Sequence, residues 1–212
     1  MPIEVLKVSS EAPEPQIIEY AAGFIRRGDI ISAPTDTVYG LSADPFNLSA
    51  VERVFKVKGR PDSRALPILV SSVEQAVTMA RDLPDVFLKL SQRFWPGPLT
   101  LVVEATRRVP LKVTGNTGCV ALRWANSRVA TALIDAAGGP ITGTSANLSG
   151  QPSCTNAQDL VKQLGNRLPL ILDAGETGGT QASTIVKIEG DEWSILREGD
   201  IDYADIEKAL NS

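Results

Sequence analysis

The stretch IISAPTDTVYGL at residues 30–41 decides the fold class, because in it an apolar run stands directly before a polar turn. Residues 30–34 are predicted to form a short buried strand that ends at its own proline, and residues 35–44 to form a loop. Loops that leave strand ends are where α/β sheets bind their ligands. The threonines and the aspartate of this loop are therefore candidate ligand contacts, although the same residues are also common in plain turns.

Strand and helix signals alternate on both sides of this stretch. Apolar residues at helical spacing precede it over residues 17–25, and a helix with Ser49 as its predicted cap follows it. The last three strand-like runs arrive almost in series before a closing helix capped by Asp202. This order favours an α/β fold with a twisted, mixed β-sheet and flanking helices over a regular doubly wound sheet. The predicted strands lie at residues 30–34, 66–70, 99–103, 120–124, 140–144, 170–172, 184–188 and 194–197.

Length and composition indicate one globular domain. The chain has 212 residues, fewer than the roughly 250–300 at which a single core stops growing, so we predict one domain over residues 1–212. Apolar residues make up 43% and charged residues 22%, which is enough to build a core. The net charge of −4 argues against a surface that coats nucleic acid or anionic lipid as a whole. Any anion site must then be local.

The chain has no histidine, which excludes the Ser-His-Asp and Cys-His devices and most catalytic zinc sites. Its two cysteines, Cys119 and Cys154, form no C-x-x-C pair, so we predict neither a disulfide framework nor a thiolate metal site. No apolar run is long enough to span a membrane, and the start lacks the pattern of a secretory signal. We therefore expect a cytoplasmic protein without a membrane partner.

A basic segment stands out at residues 51–64, with a local charge of +3. In it, Lys58 and Arg60 flank a glycine at a predicted helix exit, where both side chains can reach one phosphate chain. Each charge-assisted hydrogen bond to phosphate is worth about 1.5–3 kcal/mol, and arginine can bind two oxygens at once. The alternative is that these charges only complement the dipole of their own helix.

An uncharged segment, ITGTSANLSGQPS at residues 141–153, carries five hydroxyl groups. Gly143 and Gly150 allow the backbone to approach a ligand closely, so the segment is a candidate anion cradle at a strand end. An ordinary turn is the competing interpretation. Another glycine-rich loop, at residues 173–184, either closes on something or is a long turn. The sequence contains no P-loop, no dinucleotide-binding glycine motif and no nucleophile elbow, which argues against the enzymes built on them.

Six short motifs taken together resemble the YrdC-like family of L-threonylcarbamoyladenylate synthases, in the same order and over about residues 15–199. The resemblance implies a YrdC-like twisted mixed sheet around a large, positively lined cavity, without the extra C-terminal domain of longer relatives. It also implies a nucleotidyltransferase that makes threonylcarbamoyl-AMP and pyrophosphate from L-threonine, bicarbonate and ATP, for threonylcarbamoyladenosine in tRNA. The motifs are PTDTVYGL at 34–41, KGRP at 58–61, FWPGPLT at 94–100, VALR at 120–123, TSANLSG at 144–150 and STIV at 183–186.

The resemblance also implies roles for individual residues. Thr37 and Ser183 would contact L-threonine, and Arg123 would lie near its carboxylate. Lys58 and Arg60 would bind the phosphates and carry the catalysis. Further contacts to ATP would come from Arg64, Gly143, Ser145, Asn147, Ser153 and Arg197.

The sequence departs from the family pattern at two places. Leu69 stands where many relatives have a histidine, after Arg64-Ala65-Leu66 in place of a common Asn-Pro-Leu. Ser153 is followed by Cys154, where Ser-Pro-Thr is common in relatives.

The reaction that the resemblance implies suits a chain without histidine. Carbamate formation followed by attack on the α-phosphate needs no protein nucleophile, so the rate would come from holding reactants in line and neutralising phosphate charge. Mg²⁺ would arrive with ATP, and we expect no metal ligand set and no tightly bound cofactor. Expected partners are ATP, L-threonine, bicarbonate, the tRNA threonylcarbamoyl-transferase proteins downstream, and RNA. The alternatives are a double-stranded RNA or ribosome-binding factor without catalysis, and a related enzyme that carbamoylates another acceptor.

Overall fold

The computed structural model of the protein describes residues 3–179 and 181–211. Helices predicted from apolar spacing are present, and each begins close to the residue that the sequence pattern indicates. The helices are α1 (Pro15–Arg26), α2 (Leu48–Lys58), α3 (Val73–Val77), α4 (Asp85–Phe94), α5 (Arg128–Ala137), α6 (Ala157–Leu164) and α7 (Tyr203–Asn211), with a 3-10 turn at Gly165–Arg167.

The cap of α2 differs from the prediction. Asn47, not Ser49, caps the helix, because its side-chain oxygen accepts hydrogen bonds from the backbone N–H groups of Ser49 and Ala50 at 3.1 and 3.2 Å. Such a cap contributes about 1 kcal/mol to helix stability. At the other end Gly59 adopts φ 60°, the left-handed conformation that favours glycine, and this ends the helix.

The strands form two mixed sheets, so the α/β class with mixed strand directions is confirmed, while the division into two sheets was not predicted. One sheet has the order β1-β9-β2-β3-β8 and the other β11-β10-β5-β6-β4-β7. The third strand lies in the segment predicted as a loop at residues 35–44, and no element was predicted for the segment of the first strand. The strands are β1 (Glu4–Lys7), β2 (Ile31–Ala33), β3 (Gly40–Ser42), β4 (Ile68–Leu69), β5 (Leu99–Glu104), β6 (Cys119–Arg123), β7 (Ile141–Thr142), β8 (Thr144–Ser145), β9 (Leu170–Asp173), β10 (Thr184–Glu189) and β11 (Glu192–Arg197).

The chain passes from one sheet to the other at Gly143, between β7 and β8. On one side β7 pairs with β4, and on the other β8 pairs with β3 through Gly40 opposite Ser145. A Cβ atom built on Gly143 would lie 2.4 Å from Cγ of Leu69, so only glycine fits this crossing without a shift. The crossing brings the PTDTVYGL and TSANLSG motifs together.

The six-stranded sheet separates the core from a cavity. Side chains alternate along a strand, so Leu99, Leu101 and Leu122 are fully buried on one face while Thr100 and Val102 point to the other. The apolar face packs on α4, which packs in turn on α7, within the larger of two hydrophobic clusters. In the part of the chain that the structure describes, none of the helices has the length and apolar character needed to cross a membrane.

Candidate functional site

A cavity of about 660 Å³ opens on the polar face of the six-stranded sheet. Its floor is formed by alternate residues of β5, β6 and β10, and its walls by the segment after α2, by the crossing at Gly143 and by the end of β11. Basic residues outnumber acidic ones among the described residues of its lining, five to one. They are Arg60, Arg64, Arg123, Lys187 and Arg197, against Glu189.

Three of these cations, Arg60, Arg64 and Arg197, lack a carboxylate partner among residues 3–179 and 181–211. Burial lowers the pKa of Arg60, and the charges of Arg64 and Arg197 lower it further, because like charges disfavour one another. Burial also lowers the pKa of Arg197. An arginine stays protonated under these conditions, so the three side chains form a site that lacks negative charge.

Arg60 is held in place by neutral oxygens. Its Nη1 donates to Oγ1 of Thr144 at 3.2 Å and its Nη2 to the carbonyl of Ala65 at 3.0 Å. Its Nε is buried and has no hydrogen-bond partner within the described residues. These contacts set the orientation of the guanidinium without neutralising its charge.

Lys58 lies behind the cavity wall instead of on it. The residue is only 4% exposed, and its ammonium group donates to the carbonyls of Ser145 and Asn147, the latter at 3.1 Å, and to Oδ1 of Asn147 at 2.9 Å. Those three bonds occupy all three of its N–H donors. Burial, and next the charge of Arg60, lower the pKa of Lys58 to about 8. In this structure Lys58 therefore supports the strand end that faces the cavity.

The uncharged segment is divided by the structure. Gly143, Thr144 and Ser145 line the cavity, whereas Asn147 is buried beside Lys58 and its side-chain amide donates to the carbonyl of Gln151 at 2.6 Å. Oγ of Ser145 donates to Oδ1 of Asn147 at 2.6 Å. Ser153 is half-buried and is not among the lining residues.

Arg123 is almost fully buried and makes an ion pair that the sequence analysis did not predict. Its Nη2 contacts Oδ1 of Asp36, its Nη1 donates to Oγ1 of Thr37 at 3.0 Å, and its Nε donates to the carbonyl of Gly97 at 3.0 Å. Burial lowers the pKa of Arg123, and the charge of Asp36 opposes that effect. A guanidinium has five N–H donors, so two remain for a ligand at this end of the cavity.

Arg197 and Ser183 form a third group on the wall. Nε and Nη2 of Arg197 donate to the carbonyl of Ser183 at 3.0 and 2.7 Å, and Nη2 lies 3.1 Å from Oγ of Ser183. Oγ of Ser183 is also 2.8 Å from Oγ1 of Thr100. Ser183, which was predicted to contact L-threonine, and Arg197, which was predicted to contact ATP, are therefore neighbours.

Eight of the eleven predicted site residues line the one cavity, and three do not. The sequence analysis missed Asp36 as a partner of Arg123, Thr144 as a partner of Arg60, and the pair of Lys187 and Glu189 at 2.8 Å. Period-2 spacing in the strand at 184–188 was the one signal that could have placed Lys187 on the cavity face. Within residues 3–179 and 181–211, no three His, Cys, Asp or Glu side chains are grouped so that they could hold a metal ion.

Comparison with known proteins gives several relatives of similar name. A protein of Pyrococcus abyssi named threonylcarbamoyl-AMP synthase is 40% identical over 195 residues, which cover 91% of this chain and 57% of the relative. A Bacillus subtilis protein of that name is 36% identical, with 93% and 57% covered. One from Vibrio cholerae is 33% identical and covers 86% of this chain and 97% of the relative. The chain thus spans somewhat over half the length of the Pyrococcus and Bacillus proteins.

Solved structures show the same architecture. The crystal structure of P. abyssi Sua5 complexed with L-threonine superimposes with a TM-score of 0.94 at 38% identity, and covers 97% of this chain and 60% of that one. Escherichia coli YciO superimposes with a TM-score of 0.88 at 23% identity over 96% and 99% of the two chains, which shows a shared fold. The Sua5/YciO/YrdC sequence family, described as "Telomere recombination", matches residues 23–199. The chain therefore belongs to the Sua5/YciO/YrdC family.

Proposed function

We propose that the protein is an L-threonylcarbamoyladenylate synthase, which forms threonylcarbamoyl-AMP and pyrophosphate from L-threonine, bicarbonate and ATP. The observation that carries this proposal is a group of three arginines that have no carboxylate partner among the described residues, on a cavity where the adjoining strand end, residues 143–145, is uncharged and bears hydroxyl groups. A triphosphate supplies the negative charge that this cavity lacks. The names of the relatives and the L-threonine complex of P. abyssi Sua5 agree with this assignment.

ATP is assigned to the part of the cavity between Arg60, Arg64 and Arg197, and Arg197 marks its boundary with the L-threonine site because it also bonds to Ser183. Their free N–H donors bind the phosphate oxygens, and Gly143 and Ser145, which flank the Thr144 partner of Arg60, contact the nucleotide beside it. Lys58 acts here through the backbone that it supports, with Asn147, and not by contact with phosphate. Ser153 stays a predicted nucleotide contact from sequence alone, because it lies off the wall.

L-Threonine is assigned to the end with Arg123, Thr37 and Ser183. Oγ1 of Thr35 donates its proton to the carbonyl of Val38 at 2.7 Å, so in its 3.1 Å contact with Thr37 the donor is Thr37. Oγ1 of Thr37 also accepts from Arg123, and it offers its remaining lone pair to an N–H donor such as an ammonium group. The two free N–H donors of Arg123 suit the carboxylate of the amino acid.

The chemistry then depends on position more than on acid–base groups. The amine nitrogen of threonine adds to the carbon of bicarbonate, and one C–O bond breaks as water leaves with a proton from the amine, which gives a carbamate. A carbamate oxygen then attacks the α-phosphate of ATP, and the bond from that phosphorus to the bridging oxygen breaks as pyrophosphate leaves. Arg60 and Arg197 neutralise the charge that grows on the departing pyrophosphate. Mg²⁺ enters this proposal with the ATP phosphates, as part of the substrate.

The product is an unstable acyl adenylate, so it needs an acceptor enzyme close by. We assign that role to tRNA threonylcarbamoyl-transferase proteins, and we place the reaction in the cytoplasm, where reduced cysteines persist. Direct contact with tRNA or other RNA is a separate expectation, which a salt titration tests because phosphate contacts weaken steeply as salt rises.

The decisive experiment mixes the purified protein with ATP, bicarbonate and L-threonine and follows new species by mass spectrometry. The expected result is a threonylcarbamoyl adenylate with equal release of pyrophosphate, lost when L-threonine or bicarbonate is omitted. ATP turnover with another amine in place of L-threonine would point to the related enzyme that uses a different acceptor. Salt-sensitive RNA binding without any turnover would support the RNA-binding alternative and overturn the synthase.

A further inference from the structure

The glycine-rich loop at residues 174–179 packs against the turn that carries Thr37. Oγ1 of Thr177 donates to the main-chain carbonyl of Thr37 at 2.9 Å. A Cβ atom built on Gly179 would lie 2.5 Å from Cα of Thr37, so the two backbones are in direct contact. Two separate points of the loop therefore touch one residue of the cavity wall.

The loop is anchored on its other side as well. The backbone N–H of Thr177 donates to the carbonyl of Thr155 at 2.8 Å. The phenol of Tyr39 donates to the carbonyl of Gly175 at 2.7 Å and accepts from the backbone N–H of Ala174 at 3.1 Å. Tyr39 is fully buried, and burial raises its pKa, so the phenol keeps its proton. These bonds give the loop a defined position from which Thr177 reaches Thr37.

Thr37 has little freedom of its own to compensate for a lost contact. The residue is 1% exposed, and its hydroxyl lies between Oγ1 of Thr35, at 3.1 Å, and Nη1 of Arg123, at 3.0 Å. A displacement of its backbone therefore moves a hydroxyl on the cavity wall together with its bond to Arg123. Of the cations assigned to ATP, Arg60 and Arg64 lie on a different segment and make no hydrogen bond to residues 174–179 of the described chain.

We infer that Thr177 is a positioning residue for the L-threonine end of the cavity, an inference that rests on the proposed function. Thr177 makes no contact with substrate in this assignment. It holds the carbonyl of Thr37, and so the direction of the Thr37 hydroxyl, from outside the cavity lining. Affinity for L-threonine then depends on Thr177, and affinity for ATP does not.

The test compares Thr177→Val, which removes the hydroxyl with little change of volume, with Thr177→Ser, which keeps it. Loss of one neutral hydrogen bond corresponds to a factor of about 3 to 10. We expect KM for L-threonine to rise by about that factor in Thr177→Val. KM for ATP and the melting temperature should stay near the wild-type values, and Thr177→Ser should restore KM for L-threonine.

Thr106→Val is the matched control, since the hydroxyl of Thr106 also donates to a main-chain carbonyl, that of Thr78 at 3.3 Å, away from the cavity lining. Equal rises in KM for both substrates, an unchanged KM for L-threonine, or failure of the serine variant to rescue would overturn the inference.

Hydrogen exchange separates this inference from the proposed function, because it needs no substrate. Peptides that cover residues 34–41 should exchange faster in Thr177→Val than in Thr177→Ser or Thr106→Val. Unchanged exchange would overturn the role of Thr177 whatever the activity. A wild-type protein without L-threonine-dependent turnover would overturn the proposed function, while faster exchange in the valine variant alone would still support the contact between loop and turn.

Discussion

Removal of the Arg60 guanidinium tests the phosphate site most directly. The side chain lies on the cavity wall, is oriented by Thr144 and Ala65, and shares its surroundings with Arg64 and Arg197, which have no carboxylate partner among the described residues. Arg60→Ala removes one of three positive charges and leaves the other two. Because the bonds of Arg60 are to neutral oxygens, the substitution strands no buried carboxylate.

The magnitude follows from the bonds that Arg60 can offer to ATP. A charge-assisted hydrogen bond contributes about 1.5–3 kcal/mol, which corresponds to a factor of about 10 to 150. Two bonds to phosphate would double the free energy, but loss of Arg60 also relieves its repulsion with Arg64 and Arg197. We therefore expect kcat/KM for ATP to fall by a factor of about 10 to 150.

The assay is L-threonine-dependent release of pyrophosphate at varied ATP, with thermal melting as the check of folding. Arg93→Ala is the control of equal charge, since Arg93 is exposed on α4, outside the cavity lining, where its guanidinium lies over the ring of Phe94. Arg60→Lys should recover part of the loss, because it restores the charge without the forked geometry. If Arg60→Ala and Arg93→Ala lowered kcat/KM for ATP equally, the assignment of the phosphates to this wall would be refuted.

Three further predictions test the structure around the cavity. Asp36→Asn leaves Arg123 buried without its partner and should lower the free energy of unfolding by about 3 kcal/mol in a urea titration; an unchanged midpoint would contradict the buried pair. Gly143→Ala should lower the free energy of unfolding by about 1–3 kcal/mol, because the added Cβ clashes with Leu69. The double variant with Leu69→Ala should lose less stability than the sum of the losses in the two single variants. Additive effects would argue against that contact. Because the pKa of Lys58 falls from 10.5 to about 8 on folding, the unfolded chain binds more protons between those values and stability rises with pH there. The difference in free energy of unfolding between the wild type and Lys58→Met should grow in favour of the wild type by about 3 kcal/mol as the pH rises from about 8 to 10.5. A difference that stays constant over this pH range would contradict the burial of an ammonium group.

Local elements followed from the sequence because their signals are local. Apolar residues at helical spacing over residues 17–25 identified α1. The same reasoning put the cap of α2 at Ser49 instead of Asn47, since either residue type can accept the bonds of a first turn. The strand β1 carries no apolar alternation that marks it, and it exists because it pairs with β9, far away in sequence.

The functional residues divide in the same way. Residue type and motif predicted Arg60, Arg64 and Arg197 as cations of one anion site, because charge is a property of the side chain itself, and the structure places all three on the same cavity. Only the tertiary structure decided that all three N–H donors of Lys58 bond to acceptors within the protein, and that Arg123 is paired with Asp36. Those outcomes depend on which segments meet when two sheets pack, and a pattern of period 2 or 3.6 specifies the face of an element without specifying its neighbour.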